Sequence, residues 1–92
     1  MDKRAHVEDP VRELAGFLRE HGEEWWADAL DQDADLIASG DDTGVAHLLK
    51  RFGGMGSLND LILKPSEVDD RYVALRERAW QEAARAHKTD GP

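Results

Sequence analysis

Apolar residues recur along most of the chain at positions three or four apart, with charged residues between them. This spacing is typical of amphipathic α-helices, because residues three and four apart share one face of a helix. No stretch shows the period of two that indicates a strand. We therefore predict an all-α fold, a small bundle of four longer helices and one short helix. The predicted helices are at about 10–21, 23–39, 43–52, 58–63 and 67–87.

Residues that favour helix ends stand at several of these boundaries. Asp9 followed by Pro10 indicates an N-cap and a proline at the first helical position, where its missing N–H costs nothing. Gly40 is suited to end the second helix. The 92 residues suffice for a single helical domain covering the whole chain. The polar segments 1–8 and 88–92 lack a pattern, and we expect both to be flexible.

A glycine-rich loop follows the third predicted helix, and its glycines allow the positive φ that a tight chain reversal needs. Ser57 and Asp60 have the spacing of a capping box, with Ser57 as N-cap and Asp60 reaching back to it. The loop lacks the lysine of a Walker loop and the third glycine of a dinucleotide fingerprint. We therefore assign it a structural role, in which Met55 either plugs the core or is recognised by a partner. The loop consists of Phe52, Gly53, Gly54, Met55, Gly56 and Ser57.

The segment around this loop resembles a family of short bacterial proteins of unknown function. The resemblance covers roughly residues 14–63 and is most specific in the motif Phe-Gly-Gly-Met-Gly-Ser-x-Asn-Asp. It implies a bacterial origin and a compact helical domain, without an assigned activity. Some small acidic bacterial proteins of similar build are immunity proteins against toxins, which is an analogy of size and charge alone. The other residues that carry the resemblance are Trp25, Trp26, Leu30, Ile37, Gly40, Asp41, Gly44, Leu48 and Leu49.

The chain has a net charge of −8, and its acidic residues are concentrated in one region. Residues 20–42 contain nine Asp or Glu and no Lys or Arg. A field of this sign repels the phosphates of nucleic acids and favours basic partners. The alternative is a solvated face that only keeps the protein soluble. The acidic face, our candidate partner-binding surface, consists of Glu24, Asp28, Asp31 and Asp35 along one stripe of the second predicted helix, with Asp41 and Asp42 beyond its end.

Two charged residues fall where the helical pattern calls for apolar ones. Asp33 lies within the apolar side of the second predicted helix, and Arg76 within that of the last. A buried charge without a partner is costly, so each should have one. The simplest hypothesis is that these two pair with each other. A helix end, a tryptophan N–H and His21 are the other candidate partners of Asp33, and a ligand site is the alternative to a structural pair.

Several classes of chemistry are disfavoured by the residues present. The chain has no cysteine, which excludes disulfides, thiolate metal sites and cysteine nucleophiles. The histidines lack the spacings of zinc sites, and His47 projects away from the apolar side of its helix. We therefore predict a protein that is not an enzyme, with no cofactor and no metal. Without a signal peptide or an apolar run that could span a membrane, the expected location is the cytoplasm.

These observations favour a non-catalytic acidic interaction module that binds a basic protein through the acidic face, in the manner of an immunity protein or antitoxin. The apolar edge of the last helix, at Val73, Trp80 and Ala84, supports an alternative, an oligomeric scaffold module. A third hypothesis is a small ligand-binding domain at Asp33, Arg76 and the glycine loop. Direct binding of nucleic acid is disfavoured by the charge.

Overall fold

The computed structural model describes residues 3–41, 43–53 and 56–90, and over these ranges the chain is helical apart from short connections. One turn of 3-10 helix, Leu58–Asp60, precedes the last helix. The predicted all-α bundle is confirmed, and the described residues include no strand. The four α-helices are α1 (Lys3–Glu20), α2 (Glu24–Ala38), α3 (Thr43–Lys50) and α4 (Ser66–Asp90).

The first helix is longer than its capping residues suggested. α1 begins at Lys3, so Pro10 lies inside the helix and does not open it. Val7 is buried one turn before Val11, which extends the apolar face of the helix towards the N-terminus. The free energy gained by burying this extra turn offsets the cost of the backbone hydrogen bond that proline cannot donate. The segments expected to be flexible are thus helical over 3–8 and over 88–90, and their other residues lie outside the described ranges.

The core is formed where α1 packs against α2 and α4, and α3 packs against the same two helices. Tyr72 is the largest fully buried side chain, and its hydroxyl donates to the Leu58 carbonyl at 2.5 Å. Burial raises the pKa of this phenol. No helix in the described part of the chain is long and apolar enough to cross a membrane. The buried core residues are Val7, Val11, Leu14, Ala15, Leu18, Ala27, Leu30, Ala34, Ile37, Leu48, Phe52, Leu58, Leu63, Tyr72, Ala79 and Ala83.

A close crossing of α2 and α3 depends on Gly44. A Cβ atom at this position would lie 3.0 Å from the backbone nitrogen of Ile37 and 3.0 Å from Cβ of Leu36. The connection before α3 is fixed by Asp41, whose Oδ1 accepts from the Thr43 hydroxyl at 2.6 Å and the Thr43 N–H at 2.9 Å. These bonds lower the pKa of Asp41. Asp41 thus caps the start of α3, and Asp42 lies outside the described residues.

The short helix predicted at 58–63 is only a single 3-10 turn at 58–60, after which Leu61 is extended. The capping box is also wrong in its details, since the Ser57 side chain makes no capping hydrogen bond. Asp60 instead accepts from the N–H of Gly56 at 2.8 Å. Gly56 has a φ of +71°, and the chain reversal at this residue directs the Gly56 N–H towards the Asp60 carboxylate. The capping box had predicted the N–H of Ser57, which is the next residue.

Candidate functional site

Asp33 is fully buried on α2, and its partners come from α3 and the turn after it. Its Oδ1 lies 2.8 Å from Nδ1 of His47. Arg51 donates from Nε to Oδ2 at 2.5 Å and from Nη2 to Oδ1 at 3.2 Å. A guanidinium that contacts both carboxylate oxygens in this way is held in a fixed plane. The buried carboxylate therefore fixes the position of the C-terminal end of α3 against α2.

Asp33 does not pair with Arg76, contrary to the simplest hypothesis from the sequence. The guanidinium of Arg76 lies 5.2 Å from the centre of the Tyr72 ring, a cation–π arrangement within α4. His21 is not the partner either, because its ring packs 4.5 Å from that of Phe17. The reason is topological: α2 packs mainly on α1 and α3, so an inward residue of α2 meets α3 before it could reach α4.

An open pocket of about 270 Å³ lies beside the Asp33 ion pair. Among the described residues that line it, three have basic side chains and none is acidic. Asp33 lies behind the side chains that line the pocket, and its own side chain is only 1% exposed. The residues that line this basic pocket are Trp26, His47, Lys50, Arg51, Gly53, Gly56 and Ser57.

Gly53, Gly56 and Ser57 of the glycine loop line one wall of the basic pocket, and hydrogen bonds join the two ends of the loop. The Leu58 N–H donates to the Arg51 carbonyl at 2.9 Å, and the Asn59 side-chain amide donates to the Phe52 carbonyl. Ser57 is 7% exposed, and its hydroxyl has no hydrogen-bond partner within the described ranges. Phe52 is buried in the core, while Gly54 and Met55 lie outside the described residues.

Asp33, His47 and Ser57 are the residue types of a hydrolytic triad, but they are not arranged as one. In a working triad the serine hydroxyl donates to the ring nitrogen of histidine that faces away from the aspartate. The unpartnered hydroxyl of Ser57 makes no such bond, and Asp33 is shared between His47 and Arg51. In the part of the chain that the structure describes, no group of three or more His, Asp or Glu side chains converges as a metal site would require.

The acidic stripe of α2 faces two arginines of α1. Arg19 donates to Asp28 at 2.9 Å and to Asp31 at 3.0 Å, and Arg12 donates to Asp35 at 2.8 Å. Asp28 and Asp35 nevertheless remain 70% and 72% exposed. Hydrogen bonds to these carboxylates raise the pKa of both arginines. Asp28 and Asp35 are therefore exposed carboxylates that are oriented, and partly compensated, by the neighbouring helix.

An exposed apolar stripe runs beside those carboxylates on α2. Trp25 is 70% exposed and Leu36 is 37% exposed. They lie eleven residues apart, so they share one face of the helix about three turns from each other. The Trp25 ring meets the Trp26 ring edge-on, with centroids 4.9 Å apart. We call the combination of this stripe with Asp28 and Asp35 the outer α2 face.

A family model described as a domain of unknown function, DUF6966, matches residues 19–71. The match covers more than half of the chain, which therefore belongs to this family. The matched segment contains α2, α3, the glycine loop and the start of α4, and hence every residue that lines the basic pocket. No curated protein and no solved structure matches the chain.

Proposed function

We propose that this member of the DUF6966 family is a non-catalytic interaction module that binds a basic protein through its outer α2 face. The observation that carries the proposal is an exposed tryptophan, Trp25, beside the exposed carboxylates of Asp28 and Asp35. Tryptophan is among the residues that contribute most to protein interfaces. A lysine or arginine of a partner can pack on its ring while it pairs with a neighbouring carboxylate.

The arginines of α1 support this proposal rather than block the surface. Arg12 and Arg19 contact Asp35 and Asp28 through Oδ1, and each carboxylate has a second oxygen that can accept from a partner. Because these pairs are exposed, water and salt screen them and little energy opposes their exchange for a partner's cation. The bonds also hold the carboxylates in place, which lowers the entropy cost of binding.

Affinity capture of a basic protein from cell extract, followed by quantitative binding of that purified protein, tests the proposal. We expect association to slow steeply between low and high salt, because opposite charges steer the encounter. Trp25→Ala and the double variant Asp28→Asn/Asp35→Asn should each weaken binding about tenfold or more. The matched control is Asp70→Asn/Glu77→Gln, which removes two negative charges from exposed positions on α4. Binding that is indifferent to salt, to Trp25→Ala and to the α2 double variant would contradict the proposal.

Arg19→Gln provides a test in the opposite direction. Removing this arginine leaves Asp28 without its cation and leaves Asp31 only the longer contact with Arg12 at 3.8 Å, so a basic partner should associate faster than with the wild type. The control is Arg78→Gln, since Arg78 makes a similar exposed pair with Glu13 at 3.1 Å. A gain confined to Arg19→Gln supports the outer α2 face, whereas an equal gain in both variants indicates an effect of net charge alone.

The most specific version of this proposal is immunity-like or antitoxin-like inhibition in the cytoplasm of a bacterial cell, without direct contact to nucleic acid or membrane. The net charge of −8 is complementary to a basic toxin. A neighbouring gene for such a toxin, and loss of toxicity on co-expression with this protein, would support it. Toxicity that co-expression leaves unchanged would rule out this version while leaving other basic partners open.

Trp80 favours a second candidate, a homo-oligomeric scaffold. This side chain is 45% exposed on α4, on the edge that also contains the half-buried Val73. Two copies could cover it, since large exposed apolar side chains favour association. Sedimentation over a wide range of concentrations tests this. A species that remains monomeric throughout, and is the same for Trp80→Ala, eliminates the scaffold.

A further inference from the structure

We propose that the basic pocket, which lies between α2, α3 and the loop residues Gly53, Gly56 and Ser57, binds a phosphate group, either as the free ion or as a monoester. This site is separate from the outer α2 face and does not depend on the proposed partner. The proposal accounts for an unusual distribution of charge in this protein. The protein has a net charge of −8, yet this pocket is lined by His47, Lys50 and Arg51, and no acidic side chain is among the described residues of its lining.

Two of the basic side chains of this pocket, Arg51 and His47, are held in position by Asp33. Arg51 is only 17% exposed, and its two bonds to Asp33 fix its guanidinium at the pocket wall. The same carboxylate orients the ring of His47 through Nδ1. Asp33 compensates one positive charge at most, and Lys50 adds another that no lining residue opposes. The pocket therefore keeps a net positive charge and has two preorganised walls.

An independent observation is the unpartnered hydroxyl of Ser57 in the same pocket. The residue is more than nine-tenths buried, and its Oγ is without a hydrogen-bond partner among the residues described. A buried hydroxyl left in this way costs stability, so it is unusual in the absence of a function. Ser57 has no capping role that would account for it. Ser57 lines the pocket, so an oxygen of a bound ligand would supply the acceptor that this hydroxyl lacks.

The geometry favours phosphate over a carboxylate. A carboxylate is bound best by the open fork of an arginine, and the fork of Arg51 is already occupied by Asp33. A phosphate is doubly charged and has several oxygens, so lysine, the remaining N–H groups of arginine and a hydroxyl can each contact a different one. The volume of about 270 Å³ is smaller than the usual site for a drug-sized ligand and suits a phosphate with little attached to it.

Asp60 is an acidic residue close to this loop in sequence, but it does not oppose the binding of an anion in the pocket. Its carboxylate accepts from the Gly56 N–H and does not line the pocket. The sequence also lacked the loop lysine of a Walker motif. Here the positive charges come from α3 and the turn after it, so the loop need not supply them.

Titration of the protein with inorganic phosphate, followed by ¹H–¹⁵N NMR at constant ionic strength, tests the proposal. We expect saturable shifts confined to amides near His47, Arg51 and Ser57, with a Kd on the order of 1 mM. Sulfate should bind at the same site, whereas acetate and chloride should not saturate it. A phosphoserine arm separates the sources: tighter binding than inorganic phosphate indicates a monoester, and weaker binding indicates the free ion. Shifts that are linear in concentration or scattered over the surface overturn the proposal.

Lys50→Gln and Lys64→Gln form a matched pair of variants, since both lysines are exposed and only Lys50 lines the pocket. We expect Lys50→Gln to weaken phosphate binding about threefold to tenfold and Lys64→Gln to change it by less than about twofold. Equal loss in the two variants would mean that phosphate responds only to net charge, and the site would be rejected.

Ser57→Ala distinguishes a binding role from a structural one. If the hydroxyl serves the ligand, its removal raises the melting temperature in phosphate-free buffer and weakens phosphate binding at the same time. A hydroxyl that serves only the fold would do the reverse, lowering the melting temperature and leaving the Kd unchanged. That second outcome excludes Ser57 from the site, and combined with an unaffected Lys50→Gln variant it overturns the proposal.

Discussion

Helix α2 carries two sets of aspartates that pair with arginine, one on its inner side and one on its outer side. Asp33 is 1% exposed and binds His47 of the next helix and Arg51 of the turn that follows it. Asp28 and Asp35 are 70% and 72% exposed and bind arginines of the preceding helix. The residue types and distances are similar in the two sets. Exposure to water is what differs, and it decides which set stabilises the fold and which set is available to a partner.

The two sets differ in this way because the energetic cost of losing the arginine depends on whether water can reach the carboxylate that remains. A buried carboxylate that loses its partner has neither water nor a cation to stabilise it. An exposed carboxylate that loses its arginine is solvated at once. The Asp33 cluster therefore fixes α3 on α2, whereas the outer pairs between α1 and α2 can exchange with ions or with another protein.

The largest effect that tests this comparison is expected from Arg51→Met. It leaves Asp33 buried with His47 as its remaining partner, and the free energy of unfolding should fall by about 3–5 kcal/mol. Urea denaturation measures this, with Arg78→Met as the matched control at an exposed pair. If Arg51→Met does not fold, Arg51→Lys, which keeps the charge without the fork, should show a smaller loss.

The double variant Asp33→Leu/Arg51→Met completes this first test. Removing both charges removes the desolvation penalty as well, so the double variant should be more stable than Arg51→Met alone. A double variant that is no better than the single one would show that Arg51 acts through packing and not through its charge.

Gly44→Ala should have a smaller but selective effect. The new methyl group would meet backbone and side-chain atoms of Leu36 and Ile37 at 3.0 Å and push α3 away from α2. We expect a loss of about 1–3 kcal/mol in the free energy of unfolding. NMR shifts should change at His47 and Arg51 and stay constant at Arg19. Equal disturbance of both sets of pairs would show that they are not independent. Gly16→Ala is a suitable control, because a Cβ there meets nothing within 4 Å.

The smallest effect is expected at Asp41, an exposed carboxylate that binds backbone and hydroxyl groups instead of arginine. Its pKa in the folded protein is lowered from the ordinary value of 3.8, chiefly by the bond from the Thr43 hydroxyl. A lowered pKa contributes stability that is present above this ordinary value and is lost as the pH falls through the folded value. Asp41→Asn should therefore narrow the difference in stability between pH 7 and pH 2. An unchanged pH profile would assign the capping of α3 to other groups.

The helical pattern predicted α2 well and α1 poorly, for a physical reason in each case. Glu23 to Gly40 combine a strong apolar periodicity with a glycine stop, and α2 spans Glu24–Ala38. At the start of α1, Pro10 favours a helix that begins at that residue, whereas burial of Val7 favours a helix that begins earlier. The burial of Val7 is the stronger effect, and α1 begins at Lys3. Local residue preferences cannot report a contact with the core that forms only when the other helices are in place.

The ion pairs were missed because they depend on how helices dock, although the sequence contained one usable signal. Arg12 and Arg19 are seven residues apart, as are Asp35 and Asp28. Two antiparallel helices joined by a short turn bring such matched spacings into register, and the observed pairs are Arg19–Asp28 and Arg12–Asp35. No comparable signal predicted the partners of Asp33. His47 was expected to point outwards and is indeed 55% exposed, yet its Nδ1 reaches the buried carboxylate.

The position of α1 has a consequence for how this domain can be dissected. The segment shared with the family begins at residue 19, yet α1 supplies Val7, Val11, Leu14 and Leu18 to the core. A fragment cut at 19–71 would expose the apolar side of α2 and would also lose Ala79 and Ala83 of α4. Such a peptide should aggregate or remain unfolded. The segment that is shared with the family is therefore shorter than the segment that must be present for the protein to fold. The folding unit also needs α1 and the rest of α4.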